Sequence, residues 1–142
     1  MGFFKKASDY YIEGIMYYKE KEYAKAYKCF EKGAEDDFEG CIEFLAYYYE
    51  HGIYVEQSYA MAFRYYKRIT QYNSVASYKV GYFYENGLGI ARDEAKAVEY
   101  YIRAYNEAIT GEESECKPPY EALRRLSARY PEARSAIVWK KF

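Results

Sequence analysis

The chain is poor in the residues from which active sites are most often built. Its 142 residues include one histidine, one tryptophan, three cysteines and three prolines. A single histidine, His51, with scattered cysteines offers no zinc-ligand spacing and no partner for general base catalysis. Gly87-Leu88-Gly89 is the nearest approach to a phosphate-binding loop, but it lies between helix-forming stretches instead of joining a strand to a helix. Glu112, Glu113 and Glu115 read as a solvated acidic loop rather than a cation site. Neither catalysis nor a metal or cofactor is expected.

Long apolar runs are also missing, since no stretch approaches the ~20 residues of a membrane helix. Met1-Gly2-Phe3-Phe4-Lys5-Lys6 has too short an apolar core for a signal peptide. Lys6 also stands where a myristoylation motif requires Ser or Thr. A cytoplasmic location is the expectation, with no membrane partner. A formal net charge of −1 gives no basic excess, so nucleic acid is not the expected partner either.

What the chain has in abundance is tyrosine, 22 copies of it, and an internal repeat. Tyr49-Glu50-His51-Gly52 aligns with Tyr84-Glu85-Asn86-Gly87, and the register continues through Ala60 and Ala95, Ala62 and Ala97, Tyr65-Tyr66 and Tyr100-Tyr101, and Arg68 and Arg103. An earlier copy with a shorter connection places Gly14 and Tyr17 where Ala46 and Tyr49, or Gly81 and Tyr84, stand later. A period of about 35 residues marks a repeat architecture.

The spacing describes a helical hairpin. Gly14, Ala46 or Gly81 leaves room for a partner helix, and the aromatic three positions on lies on the same face. Ala26, Ala62 or Ala97 does the same from the second helix, with Phe30, Tyr66 or Tyr101 one turn further on. Gly52 and Gly87 suit helix C-caps, while Ser58 and Asp93 suit N-caps. The tyrosine doublets 10-11, 17-18 and 65-66 point neighbouring rings in different directions, so some must face outward.

The first hairpin, with Gly14, Tyr17, Ala26, Phe30 and Gly33, resembles a tetratricopeptide repeat. The second and third, with four extra residues and the stretch Tyr84-Glu85-Asn86-Gly87-Leu88-Gly89-Ile90 leading to Asp93 and Lys96-Ala97, resemble Sel1-like repeats. The resemblance spans roughly residues 7 to 109. It implies an all-α, right-handed α-solenoid in one domain, residues 1–142. The expected hairpins cover about 4–34, 39–71 and 74–109, followed by a hinge loop at 110–119 and C-terminal capping helices at 120–142.

The resemblance also implies a binding surface, because the first helix of each hairpin in this family lines the concave side. Carried onto this chain, the groove-facing places are Tyr11, Ile15 and Tyr18; Glu43, Tyr47 and Glu50; and Tyr78, Tyr82 and Glu85. Tyrosine offers large contact area with a polar tip, and carboxylates favour a basic partner. The expected function is non-enzymatic: an adaptor or scaffold holding a protein or peptide with a basic or mixed apolar-basic segment. The alternative is a dedicated inhibitor, such as an immunity protein neutralising a bacterial toxin.

A secreted, cysteine-rich branch of Sel1-like proteins pairs two cysteines eight positions apart. Cys41 occupies the second of those places but Ala34 the first, so that framework, and the enzyme activity of that branch, are not expected. Cys29 and Cys41 read as small buried helix residues and Cys116 as an exposed loop thiol. Charge is uneven along the chain: residues 1–116 carry 20 acidic against 14 basic residues, and residues 117–142 carry 7 basic against 2 acidic. That basic segment is either a solvated capping face or one turned toward an acidic surface: the protein's own concave side, a partner's, or a phosphate backbone.

Overall fold

The computed structural model describes residues 4–71, 73–109 and 113–137, without the side chains of residues 113 and 114. Among these residues it is all helical, with eight helices and no strand. They fall into two compact units, residues 1–68 and 69–142. The first holds α1 (Ala7–Lys19), α2 (Tyr23–Glu35), α3 (Glu39–His51) and α4 (Tyr59–Arg68), and the second holds α5 (Ser74–Asn86), α6 (Glu94–Ala108), α7 (Glu113–Leu126) and α8 (Pro131–Ile137).

Local chemistry sets the ends of these helices. Ser58 Oγ accepts from the Met61 amide, Asn73 Oδ1 from that of Ala76 and Asp93 Oδ1 from that of Lys96, each satisfying an amide that the first turn leaves without an intrahelical acceptor. Gly52 and Gly87 both close their helices at φ 66°, a left-handed conformation that glycine adopts without a side-chain clash.

The hairpin seams are as narrow as the small-residue spacing requires. A Cβ on Gly14 would come within 2.5 Å of the Phe30 ring, and one on Gly81 within 2.8 Å of the Tyr101 ring and 3.2 Å of the Ala97 carbonyl oxygen. Ala26, Ala46, Ala62 and Ala97 are fully buried. The tyrosine doublets divide their work. Tyr48, Tyr66 and Tyr101 enter the core, while Tyr49 stacks on Tyr65 and Tyr84 on Tyr100 at 5.8 Å. Arg68 and Arg103 lie over the outer rings of these stacks, those of Tyr65 and Tyr100.

The expected hinge at 110–119 is corrected over most of its length. Residues 110–112 lie outside the described residues, but α7 already begins at Glu113 and carries Pro118 and Pro119 inside it. Proline disfavours a helix interior because it removes a backbone donor and its ring crowds the preceding turn. Here tertiary burial outweighs that penalty: Cys116, Pro119, Ala122, Leu123 and Leu126 form one apolar stripe, all buried. Cys116 is accordingly no exposed loop thiol; it is 4% exposed and its Sγ donates to the Ala108 carbonyl at 2.9 Å. All three cysteines are buried and free, and burial pushes the Cys41 thiol up to about 11.

Candidate partner-binding surface

The nine residues singled out for recognition have different surroundings, and only some are left available. In the first unit, Tyr11 and Tyr18 are half-buried. The Tyr11 ring lies 5.2 Å from that of Phe38, and the Tyr18 ring 5.4 Å from those of Tyr23 and Phe44. Both rings help seat α1 against its neighbours. Ile15 and Glu43 are half-buried as well. Tyr47 is different: it is 39% exposed and rests against the ring of His51, one helical turn on, at 4.3 Å.

Glu50 is tied to its own hairpin. Its side chain is 8% exposed, and its Oε1 accepts from the Tyr66 hydroxyl at 2.8 Å and lies 3.7 Å from His51 Nε2. Burial, followed by the neighbouring Glu50 carboxylate, pushes the Tyr66 phenol far above its ordinary range. Tyr66 therefore stays a donor, and the carboxylate braces the two helices.

The second unit repeats the pattern and adds a cation. Tyr78 is half-buried, its ring centroid 5.6 Å from that of Tyr101 and 6.5 Å from that of Tyr82. Tyr82 stays 41% exposed. Glu85 Oε1 accepts from the Tyr101 hydroxyl at 2.7 Å and from Arg125 Nη2 at 3.0 Å, while Arg125 Nη1 donates to Oε2. Burial works against ionisation of Glu85, but the Arg125 and Tyr101 hydrogen bonds outweigh it and hold the carboxyl below its usual range. A second arginine of the C-terminal segment, Arg129, places Nε and Nη2 at 2.9 and 2.7 Å from one oxygen of Glu94.

This basic segment therefore meets acidic groups of the protein itself, and Arg125 is the participant that the sequence did not single out as a partner for Glu85. One signal for the brace was present in the repeat alignment. Where the first helix carries Glu50 or Glu85, the second carries Tyr66 or Tyr101; where the first helix carries Tyr18, the second carries Phe30, which has no hydroxyl to donate.

His51, the one histidine, has a 45% exposed side chain at the end of α3. Glu115 accepts from the Ser74 hydroxyl at 3.1 Å; the remainder of the acidic cluster at 112 and 113 lies outside what is described of the side chains. Among the described residues no group of three His, Cys, Asp or Glu is placed to hold a metal ion. No helix among them is long and apolar enough to cross a membrane.

Comparison with known proteins agrees with this geometry. The family model for the Sel1 repeat matches residues 6–38, 41–69 and 74–108. A Sel1 repeat protein from Oxalobacter formigenes, known from its crystal structure, superposes with a TM-score of 0.69 at 25% identity, covering 81% of this chain and 88% of that one. A protective antigen present in uropathogenic Escherichia coli strains, which displays an SLR fold, superposes with a TM-score of 0.64 at 21% identity. That match covers 96% of this chain but 33% of the antigen, so it speaks to the fold alone. No curated protein matches significantly. Repeats of this type generally mediate protein–protein interaction and are typically non-catalytic. With three matches that together span most of its length, the chain belongs to the Sel1 repeat family.

Proposed function

We propose that the protein is a cytoplasmic adaptor that holds a segment of another protein, and that Tyr47 in the first unit and Tyr82 in the second are its principal contact residues. The observation that carries this reading is their exposure. Tyr47 and Tyr82 occupy the same repeat position and remain 39% and 41% exposed, whereas Tyr48, Tyr66, Tyr101 and Tyr105 are fully buried. A half-exposed, partly immobilised ring gives up little conformational freedom on binding and offers both apolar area and a hydroxyl.

The carboxylates have a narrower role than their number suggests. In the first unit Glu43, half-buried one turn before Tyr47, is the carboxylate that suits a basic or mixed apolar-basic segment, whereas Glu50 is 8% exposed and accepts from Tyr66. In the second unit Glu85 is matched by Arg125, so the surroundings of Tyr82 favour apolar contact over cation selection. Tyr11, Ile15, Tyr18 and Tyr78 support these contacts from half-buried positions.

The test is affinity capture from native lysate with the wild-type chain and with Tyr47→Ala and Tyr82→Ala, followed by calorimetry on the protein recovered. A partner that binds the wild type and loses about thirtyfold or more in affinity for either folded variant supports the reading, as expected of a central aromatic contact worth on the order of 2 kcal/mol. A partner indifferent to both substitutions refutes it.

A further inference from the structure

The outer side of α1 carries an apolar pair in a position that the second hairpin uses for packing. Aligning Gly14 with Ala46 and Gly81 puts Ile12 at the place of Phe44 and Met16 at the place of Tyr48. In α3 those two residues seat the helix against the preceding hairpin. Phe44 stacks on Phe30 at 4.3 Å and touches Tyr11 and Tyr18, and Tyr48 is fully buried against Tyr18, Tyr27 and Phe30. In α1 the corresponding Ile12 and Met16 are 59% and 60% exposed, and Gly14 is the one buried residue of the helix.

We propose that this face pairs with the same face of a second copy, the two α1 helices running antiparallel about a two-fold axis. The charge pattern selects that occupant. With the two-fold axis at the level of Gly14, which itself points inward at Phe30, residues whose numbers sum to 28 come to the same height: Ile12 opposes Met16 of the second copy, Asp9 opposes Lys19, and Ser8 opposes Glu20. Asp9 and Lys19 are both exposed and lie one turn beyond the apolar pair on either side. The two-fold therefore creates two opposite-charge pairs around two apolar contacts. A parallel arrangement would set Asp9 on Asp9 and Lys19 on Lys19. The lysine end of one helix also meets the end of its partner where Asp9 accepts the Lys6 amide at 2.9 Å.

With so few apolar side chains in each copy, the interface is of the weak, reversible class, with a dissociation constant on the order of 100 μM. Sedimentation equilibrium of the full chain up to about 1 mM protein should show a reversible monomer–dimer system. Met16→Glu should abolish the dimer while leaving the helical circular dichroism and melting temperature unchanged, because the side chain is exposed in the monomer. Asp9→Lys should weaken it about tenfold by converting both attractions to repulsions. Lys19→Asp, which does not touch the N-terminal cap of α1, should do the same, and the exchange Asp9→Lys with Lys19→Asp should recover affinity to within about threefold of the wild type. A monomer at every concentration, a dimer indifferent to Met16→Glu, failure of the charge exchange to restore affinity, or a mass that keeps growing as in an open chain would each overturn the proposal.

Discussion

Substituting Tyr101 by Phe removes one oxygen atom and should remove a definable share of stability. The hydroxyl donates to Glu85 Oε1 at 2.7 Å, the tyrosine is 1% exposed, and the acceptor's side chain is 10% exposed. A buried hydrogen bond to an ionised group contributes about 1.5–3 kcal/mol net of the water it displaces. Because Arg125 still satisfies Glu85 in the variant, the carboxylate is not stranded, and the lower half of that range is expected, about 1.5–2 kcal/mol. Glu85→Gln keeps the side chain's shape and an acceptor but removes the charge shared by Tyr101 and Arg125. A double-mutant cycle between the two substitutions should then give a coupling of about 1 kcal/mol or more. Urea unfolding followed by circular dichroism at 222 nm measures each corner, with the slope checked for a common denatured state. The reasoning is refuted if Tyr101→Phe lies within about 0.5 kcal/mol of wild type or if the two substitutions are additive. Tyr66→Phe in the first unit supplies an independent copy of the same experiment, while the first hairpin, with Phe30 already in place, has no such bond to lose.

The same carboxylate gives a pH dependence whose sign follows from its direction of shift. The folded-state value of Glu85 lies below its ordinary 4.5, so its contribution is fully present above about 4.5 and is lost as pH falls through the folded value. Arg125→Ala should therefore lower stability throughout the range above about 4.5, change it least below the folded value, and so move the acid-unfolding midpoint to higher pH; an unchanged acid limb would show that the pair is not formed in solution. Ala97→Leu tests the hairpin register: Ala97 is fully buried with its carbonyl oxygen against Gly81, so three added carbons should cost about 1–3 kcal/mol by overpacking. An unaltered melting temperature in that variant would place the seam elsewhere.

The fold was legible in the sequence to the extent that packing is local. Gly14 against Phe30, Gly81 against Tyr101, and the caps at Gly52, Ser58, Gly87 and Asp93 all follow from residues within one hairpin. A small residue facing an aromatic across a close seam leaves few alternatives. The capping segment was legible in composition but not in outline, because Pro118 and Pro119 signal a break on local grounds. Only the buried stripe from Cys116 to Leu126 could outweigh them, and a stripe has value only where another surface receives it.

The same distinction separates the parts of the candidate surface. That residues at equivalent repeat positions recur on corresponding helices is a matter of period, and the sequence determined it alone. Which of them stay open was decided by tertiary structure: Tyr47 and Tyr82 keep about two-fifths of their surface, whereas Glu50 and Glu85 turn to a tyrosine hydroxyl on the facing helix and Glu85 also to Arg125. A linear pattern states what charge a residue carries. Whether that charge is still available depends on a donor 16 or 40 residues away in the chain, which folding alone brings within hydrogen-bonding distance.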